Sequence, residues 1–440
     1  MTRLLPIALV LCAGPVGLTV AQDSVLTGPA AFGGWRDDAP GVMRKIVPED
    51  LPSPDEASST ANRALPVARP EGAQPMVPEG YSAALIAEGL DIPRTLVFAP
   101  NGDLFVAESG SGVIRVMRFD AGQVEPVANE VFVDGLTRPY GIAFYPPENP
   151  EWIYVGETDA LVRIPYRPGE MAAAGPAEEL AALPTGGHWT RDVAVSPDGQ
   201  TIFVSVGSDS NVGVGVMDAQ PPGGLAAWQA AQPLGTAWGE EEERATLLAF
   251  APDGSERRIY ATGLRNCSGL AIAPSTGMPW CAVNERDGIG GDLPPDYATA
   301  VEEGAFYGWP WFYIGDHPDP RWAEAPRSDL AGAVTVPDVL LQAHSAPLGI
   351  TFAPEGTSYA GDAFVALHGS WNRGTRTGYK VVRLPFENGQ PTGAYEDFVT
   401  GMVLSDEAVW ARPVGVAFAP DGTLYFSEDG NGSIWSVSPN

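Results

Sequence analysis

The sequence predicts an all-β protein: a six-bladed β-propeller of four-stranded antiparallel blades carrying long loop insertions. Three observations lead to that class. One short phrase recurs six times, a small or polar residue followed by an alternating apolar stretch ending in Pro, a turn, and a second β-rich run. A repeat that cannot bury its own apolar face has to stack on its neighbours, so the number of copies sets the number of blades. The chain also holds 52 Gly and 43 Pro, the residues that many tight turns between short strands require. No long stretch carries a helical period, and only 179–183 and 225–231 read as single turns or short helices within loops.

The copies begin at Thr95, Gly141, Asp192, Gly269, Gly349 and Gly415, and their prolines fall at 100, 146, 197, 274, 354 and 420. A blade needs roughly 40 to 50 residues. The first two intervals fit, and the later ones contain insertions at 207–244, 285–344 and 369–409. Long loops on a rigid β scaffold are where binding sites usually lie. The last strand, within 432–437, ends close to the terminus and is expected to close the ring by pairing with N-terminal strands.

Ahead of the propeller, assigned to 78–440, lie two other segments. Residues 1–21 read as a signal peptide: Arg3 precedes an apolar run from Leu4 to Val20, and Thr19-Val-Ala21 offers small residues for cleavage. The expected location is periplasmic or secreted, without a transmembrane segment. Residues 22–77 are rich in Pro, Ala and Asp with little periodicity and read as an extended arm or linker.

Charge narrows the partners. Asp+Glu number 55 against 25 Lys+Arg, a formal charge of -30 that repels nucleic acid and anionic lipid. The cations are almost all arginine, with lysine only at Lys45 and Lys380. In an exported protein Cys267 and Cys281, flanking one hairpin, form a disulfide or remain two buried thiols.

Arginine stands one to four residues ahead of five copies, at Arg94, Arg138, Arg191, Arg265 and Arg412, with His344 in a similar place in the fifth. In a propeller these positions converge on one rim of the central channel. Guanidinium groups gathered there repel one another unless an anion neutralises them. A multiply carboxylated ligand suits them, since each fork can grip a carboxylate through two parallel bonds. The alternative is that each arginine pairs with a nearby carboxylate and joins blades. His188, in Gly186-Gly-His-Trp-Thr-Arg191, would be kept neutral by such neighbours and so could act as a base. Glu285, Asp287 and Gly288, with Asp292 nearby, supply oxygen ligands of the kind a hard cation takes, or simply cap their own turn. His368, Trp371 and Arg373 place an imidazole, a flat ring and a guanidinium at a strand end.

With these residues in view, the chain resembles the pyrroloquinoline-quinone-dependent soluble sugar dehydrogenases, specifically the L-sorbosone dehydrogenase branch. The resemblance runs from about Gly80 to the C-terminus and is carried by GGHWTR (186–191), YATGLRNCSGLAIAP (260–274), NERDGIGGDLPPDY (284–297), YGWPWFYIG (307–315), HGSWNRGTRTGYKVVRLPF (368–386) and ARPVGVAFAPDG (411–422). It implies a six-bladed propeller, a tricarboxylate quinone cofactor and Ca²⁺. It also implies that His188 takes a hydroxyl proton while hydride passes to the quinone C5, that Arg265 polarises the developing oxyanion, and that Asn266 orients the ring. Arg138, Arg191, Arg265, Asn266, His368, Trp371, Arg373 and Arg412 form the implied cofactor shell, with Arg138, Arg373 and Arg412 on its carboxylates. Calcium would be held partly by Glu285, Asp287 and Gly288, through backbone carbonyls. An aldose would leave as a lactone, and an aldehyde such as sorbosone as an acid. Glucose-type relatives place a lysine at the quinone, whereas Lys380 here lies mid-strand, which favours the sorbosone-type branch. The chain carries no haem motif, so electrons would pass to an external acceptor such as a periplasmic cytochrome. The alternatives are a six-bladed metal-dependent lactonase and a non-catalytic propeller that binds a glycan or protein.

Overall fold

The structure is a computed structural model that describes residues 25–120 and 122–440; the expected signal peptide lies outside them. Six blades surround a channel. Their innermost strands are Pro93–Phe98, Ile142–Tyr145, Val193–Val195, Cys267–Ile272, Pro347–Phe352 and Pro413–Phe418. Each repeat phrase therefore supplies the first, channel-lining strand of a blade and, after its turn, the second. The second strands are buried throughout, as in Leu104–Glu108 and Ile202–Val206, because each is sandwiched between neighbouring blades. The last blade is completed by Tyr81–Ala87, which pairs antiparallel with Ser433–Pro439 and closes the ring as the sequence predicts.

Why four copies open on glycine follows from the crowding at the channel. A Cβ on Gly349 would stand 2.4 Å from the Val414 carbonyl, and one on Gly415 would stand 2.4 Å from that of Arg94. Adjacent inner strands approach too closely there for any side chain. In the third copy Asp192 takes this place and crosses to the next blade, accepting the Leu270 N–H at 2.8 Å. Tyr140 spans the ring from the second blade to the fifth, its hydroxyl donating to the Leu348 carbonyl at 2.8 Å.

The segment at 178–182 is a strand, the outer edge of blade two, rather than a helical turn. Its alternating partners across Ala160–Pro165 outweigh its helix-favouring alanines and glutamates. The segment Leu225–Ala231 is helical as expected. A disulfide joins Cys267 to Cys281; a bulge between Cys267 and Gly269 brings together two positions that a regular hairpin would offset. No helix among the described residues is long and apolar enough to cross a membrane.

The arm is not a free linker. Leu26–Thr27 and Met43–Lys45 extend blade five to six strands, and Leu65–Pro66 pairs with Ala408–Val409. What anchors it is a buried ion cluster: Arg44 lies on Asp38 and Asp397 at 2.9 and 2.7 Å, and Lys380 contacts the same two carboxylates at 2.8 and 2.7 Å. Lys380 is thus committed to holding the arm. Further along, the arm follows the channel rim. Asp55 N donates to the Ile289 carbonyl, Ser59 Oγ accepts from Gly290 N, and Asn62 N donates to the Trp371 carbonyl.

Candidate active site

The residues that lead into the inner strands and those that end the second strands meet at one rim. On one side stands His188, half-buried on the loop before blade three. Its Nδ1 lies 2.8 Å from the Ser208 carbonyl, which can only accept. Ser208 Oγ, 3.1 Å away, already donates to Ser210 O. Nδ1 therefore carries the proton, and Nε2 keeps its lone pair. Burial, then the positive charge of Arg265, pushes this imidazole down to about 3, so it is neutral at physiological pH.

Arg265 is buried and its fork is aimed by acceptors. Nε donates to Asn211 O at 3.1 Å, Nη1 to Asn284 O and Glu285 O at 3.0 and 2.8 Å, and Nη2 to Asn211 Oδ1 at 3.0 Å. Of the five guanidinium N–H groups, one on Nη2 remains. Asn266 follows it in the chain, 6% exposed, and its Oδ1 is buried without a hydrogen-bond partner. Gly207 opens the space between Asn266 and His188: a Cβ there would lie 2.3 Å from Asn266 Oδ1 and 2.7 Å from His188 Cβ.

Across the rim, Asp429 gathers three groups. Its Oδ2 lies 3.1 Å from Arg94 Nη1, and its Oδ1 lies 2.8 Å from Arg412 Nε and 2.9 Å from His368 Nε2. Burial would raise this carboxyl, but the imidazole and two guanidiniums outweigh it and hold it well below the usual carboxylate range. Burial in turn lowers His368. Two full positive charges thus share one negative charge, and both terminal nitrogens of Arg412 lack a hydrogen-bond partner among the described residues. Arg138 adds a third guanidinium, stacked 3.9 Å above the Trp189 ring, with Arg94 at 5.2 Å from the same ring. No carboxylate among the described residues pairs with Arg138, and burial and the Arg94 charge lower its pKa. Arg138 and His344 both sit in the left-handed backbone region, at φ 51° and 64°, a strain that commonly marks functional sites.

Several expectations need correction. Arg191 is fully buried and does not reach the channel: Nη1 donates to the His188 and Thr190 carbonyls and Nη2 to that of Pro184. It shapes the loop that carries His188. Arg373 is already engaged elsewhere: its Nη groups bind the Phe32 and Gly33 carbonyls of the arm and Asp292. Trp371 is 38% exposed and carries Arg63 of the arm 5.1 Å above its ring. The expected calcium contacts are backbone carbonyls of 285–288, and no three His, Cys, Asp or Glu side chains gather as a metal site among the described residues. Glu285 accepts from Arg286 N, and burial pushes its carboxyl up to about 7. Asp287 holds His344 at 3.1 Å. The carbonyls of Asn284, Glu285 and Asp287 accept from Arg265, Asn211 and Arg286, whereas that of Gly288 accepts from none of the described residues.

Sequence reasoning missed Asp429, Ser208, Asn211 and the stacking role of Trp189. The signal was present: the residue ending each second strand, such as Ser208, Asp287, His368 or Asp429, reaches the same rim as the arginines. That second column was not aligned.

Comparison with known proteins agrees with this architecture. The sequence pattern of the TrAA12-like family matches residues 75–295 and 326–440, and the chain belongs to that family. It is 25% identical over 421 residues to a pyrroloquinoline quinone-dependent sugar dehydrogenase of Hypocrea jecorina, covering 82% of this chain and 88% of that protein. It is also 25% identical over 424 residues to the pyrroloquinoline quinone-dependent pyranose dehydrogenase of Coprinopsis cinerea; that match covers 82% of this chain but 54% of the fungal enzyme, so the chain spans about half its length. The fold is shared with the holo form of the Coprinopsis cinerea pyranose dehydrogenase PQQ domain, at TM-score 0.69 and 23% identity, covering 85% of this chain and 99% of that one. The calcium structure of the Trichoderma reesei family AA12 enzyme gives TM-score 0.67 at 23% identity, covering 83% and 97%.

Proposed function

We propose that this protein is a pyrroloquinoline-quinone-dependent dehydrogenase of a sugar or sugar aldehyde, of the L-sorbosone or aldose type, acting in the periplasm or outside the cell. One observation carries the reading: three guanidiniums, Arg94, Arg138 and Arg412, with Asp429 as their only carboxylate among the described residues, gather beside Trp189, the neighbour of a neutral His188 with a free Nε2. A site with surplus positive charge beside a base and an unpartnered amide, Asn266, fits a tricarboxylate quinone and a substrate hydroxyl.

Arg138 and Arg412 would hold the cofactor carboxylates, with Arg94 beside them and His368 held by Asp429 at their flank. Trp371 would form part of the wall. When bound, the quinone supplies the acceptor for the hydride lost by the sugar. His188 Nε2 removes the proton from the hydroxyl on the carbon being oxidised, and its Nδ1–H, fixed on Ser208, stabilises the imidazolium that results. The remaining Arg265 N–H and its charge face the negative charge that develops, a preorganised interaction that requires no rearrangement during reaction. Asn266 sets the orientation of the ring system. Calcium would draw on the Gly288 carbonyl and on the bound group, not on the Glu285 and Asp287 side chains. An aldose gives a lactone, and an aldehyde gives an acid.

The test is reconstitution of the protein with pyrroloquinoline quinone and Ca²⁺ and dye reduction with aldoses and sorbosone. Dye reduction that needs cofactor and sugar together supports the reading, and a folded protein that binds no cofactor refutes it.

A further inference from the structure

Asn211 stands in the insertion that follows the second strand of blade three, Ile202–Val206, and reaches across to blade four. Four hydrogen bonds aim the Arg265 fork. Asn211 accepts two of them, through its carbonyl and through Oδ1, and the Asn284 and Glu285 carbonyls accept the others. Asn211 Oδ1 is therefore the one side-chain acceptor among these bonds, and the one that a substitution can remove. Its own place is fixed. The Asn211 carbonyl also accepts the Trp309 indole N–H at 3.3 Å. The carboxamide binds both backbone groups of Asp287: Oδ1 accepts the N–H at 2.9 Å, and Nδ2 donates to the carbonyl at 3.1 Å. Turning the amide over would set N–H against N–H at Arg265 and at Asp287, so its orientation is determined.

That this side chain is an amide matters. Asp287, Glu285 and Asp296 stand near enough to Arg265 to favour its charged form, yet every acceptor that the fork meets is neutral. A carboxylate at 211 would accept the same N–H group but would also neutralise the guanidinium. It would in addition set an oxygen against the Asp287 carbonyl, where a donor is needed. The amide directs the fork and leaves its positive charge uncompensated at the contact. Through Asp287 it also ties the fork to the 284–288 loop, so the unengaged Nη2 hydrogen and that loop keep one relative position.

We propose that Asn211 is a positioning residue for the oxidation step. It holds Arg265 and the 284–288 loop as one unit and leaves the guanidinium charge available to the negative charge that develops during reaction. This role rests on the dehydrogenase reading above.

The test compares Asn211→Ala, which removes the side-chain acceptor, with Asn211→Asp, which keeps an acceptor and adds a negative charge. Thermal melts check that both variants fold. In the full chain free of cofactor, heteronuclear NMR follows the Arg265 guanidinium, whose signals are assigned by their loss in Arg265→Lys. The Nη2 protons should be resolved in the wild type and in Asn211→Asp, and averaged by rotation in Asn211→Ala. In protein reconstituted with pyrroloquinoline quinone and Ca²⁺, kcat should fall at least about tenfold in both variants, by lost aim in one and lost charge in the other. In Asn211→Ala, KM for the sugar and calorimetric affinity for the cofactor should stay within about threefold. A residue that merely fastens a loop would move those two quantities as far as kcat. That pattern overturns the proposal, as does kcat within about threefold of wild type in either variant, or averaged Nη2 protons in the wild type. A wild type that never reduces dye removes the dehydrogenase reading and this role with it, whereas a wild type that turns over beside unimpaired variants removes this role alone.

Discussion

Arg412 Nε lies 2.8 Å from Asp429 Oδ1, an ion-pair contact in which the buried Nε makes no hydrogen bond. Its other oxygen lies 3.1 Å from a terminal nitrogen of Arg94, Nη1. A single carboxylate thus holds two guanidiniums together while cancelling only half of their charge.

Asp429→Asn separates aim from charge. It makes the rim more positive, which by Coulomb attraction alone would tighten binding of a tricarboxylate. Losing the buried carboxylate that Arg94, Arg412 and His368 share frees all three side chains to shift, and that outweighs the attraction. Equilibrium titration with pyrroloquinoline quinone should show affinity weakened at least about tenfold, and tighter binding would contradict the positioning role.

His188→Ala should lower turnover by about 10² to 10⁴, the range attributable to one general base. Cofactor affinity should be unchanged, because Nδ1 is engaged with Ser208 and the proposed role of Nε2 is toward the substrate. Rapid-mixing kinetics on the loaded variant, beside the same titration, separates the two quantities.

Arg191→Met tests the correction made for this residue. Removing the guanidinium leaves the Pro184, His188 and Thr190 carbonyls without their donor, so the loop loosens and the rate falls. Affinity for the cofactor should stay within about threefold. A collapse of binding in a folded variant would return Arg191 to the cofactor shell.

Stability should fall as pH rises toward neutrality. Burial raises Asp192 and Glu285 to about 7 and Asp38 and Asp296 to about 6. Above their unfolded values the unfolded chain releases these protons while the native chain retains them, so stability is lost up to the folded values. His188 acts in the opposite sense: with its native value near 3, it costs stability as pH drops below its unfolded value. Four carboxyls, joined by His344 whose imidazole is raised, oppose the two lowered imidazoles of His188 and His368, so melting temperatures of the cofactor-free protein at constant ionic strength should decrease from about pH 5 to about pH 7.5. A rise over that range would contradict the assignment.

Lys380→Met should destabilise the protein by about 3 to 5 kcal/mol, the cost of removing one partner from a buried ion cluster. Asp38 and Asp397 would then share Arg44 alone. The arm should become sensitive to proteolysis before the propeller, which limited digestion would reveal.

How legible was this molecule from its sequence? The six blades were fully readable, since glycine at 141, 269, 349 and 415 and the proline that follows record the crowding of inner strands directly. That His188, Arg265 and Asn266 lie together at one rim was legible because they adjoin those phrases; their roles remain the proposal. Arg191 and Arg373 misled because spacing gives a position along the rim but not the direction of a long side chain. Arg191 folds back on its own loop, and Arg373 answers to the arm. Docking of the arm itself was hidden: Arg44, Asp38 and Asp397 are distant in sequence and carry no period. Asp429 could have been found by aligning the ends of the second strands as carefully as the starts of the first.

The central claim, a cationic socket for a quinone beside a neutral base, is tested most directly by one absorbance experiment. Protein loaded with pyrroloquinoline quinone and Ca²⁺ and freed of excess cofactor is recorded before and after addition of an aldose or sorbosone. The bands of bound oxidised cofactor should be present and convert to those of the reduced form on addition of sugar, while in His188→Ala the same conversion should be slower by about 10² to 10⁴. If the cofactor separates from the folded protein on gel filtration, or if its bands do not respond to any sugar, the account is wrong.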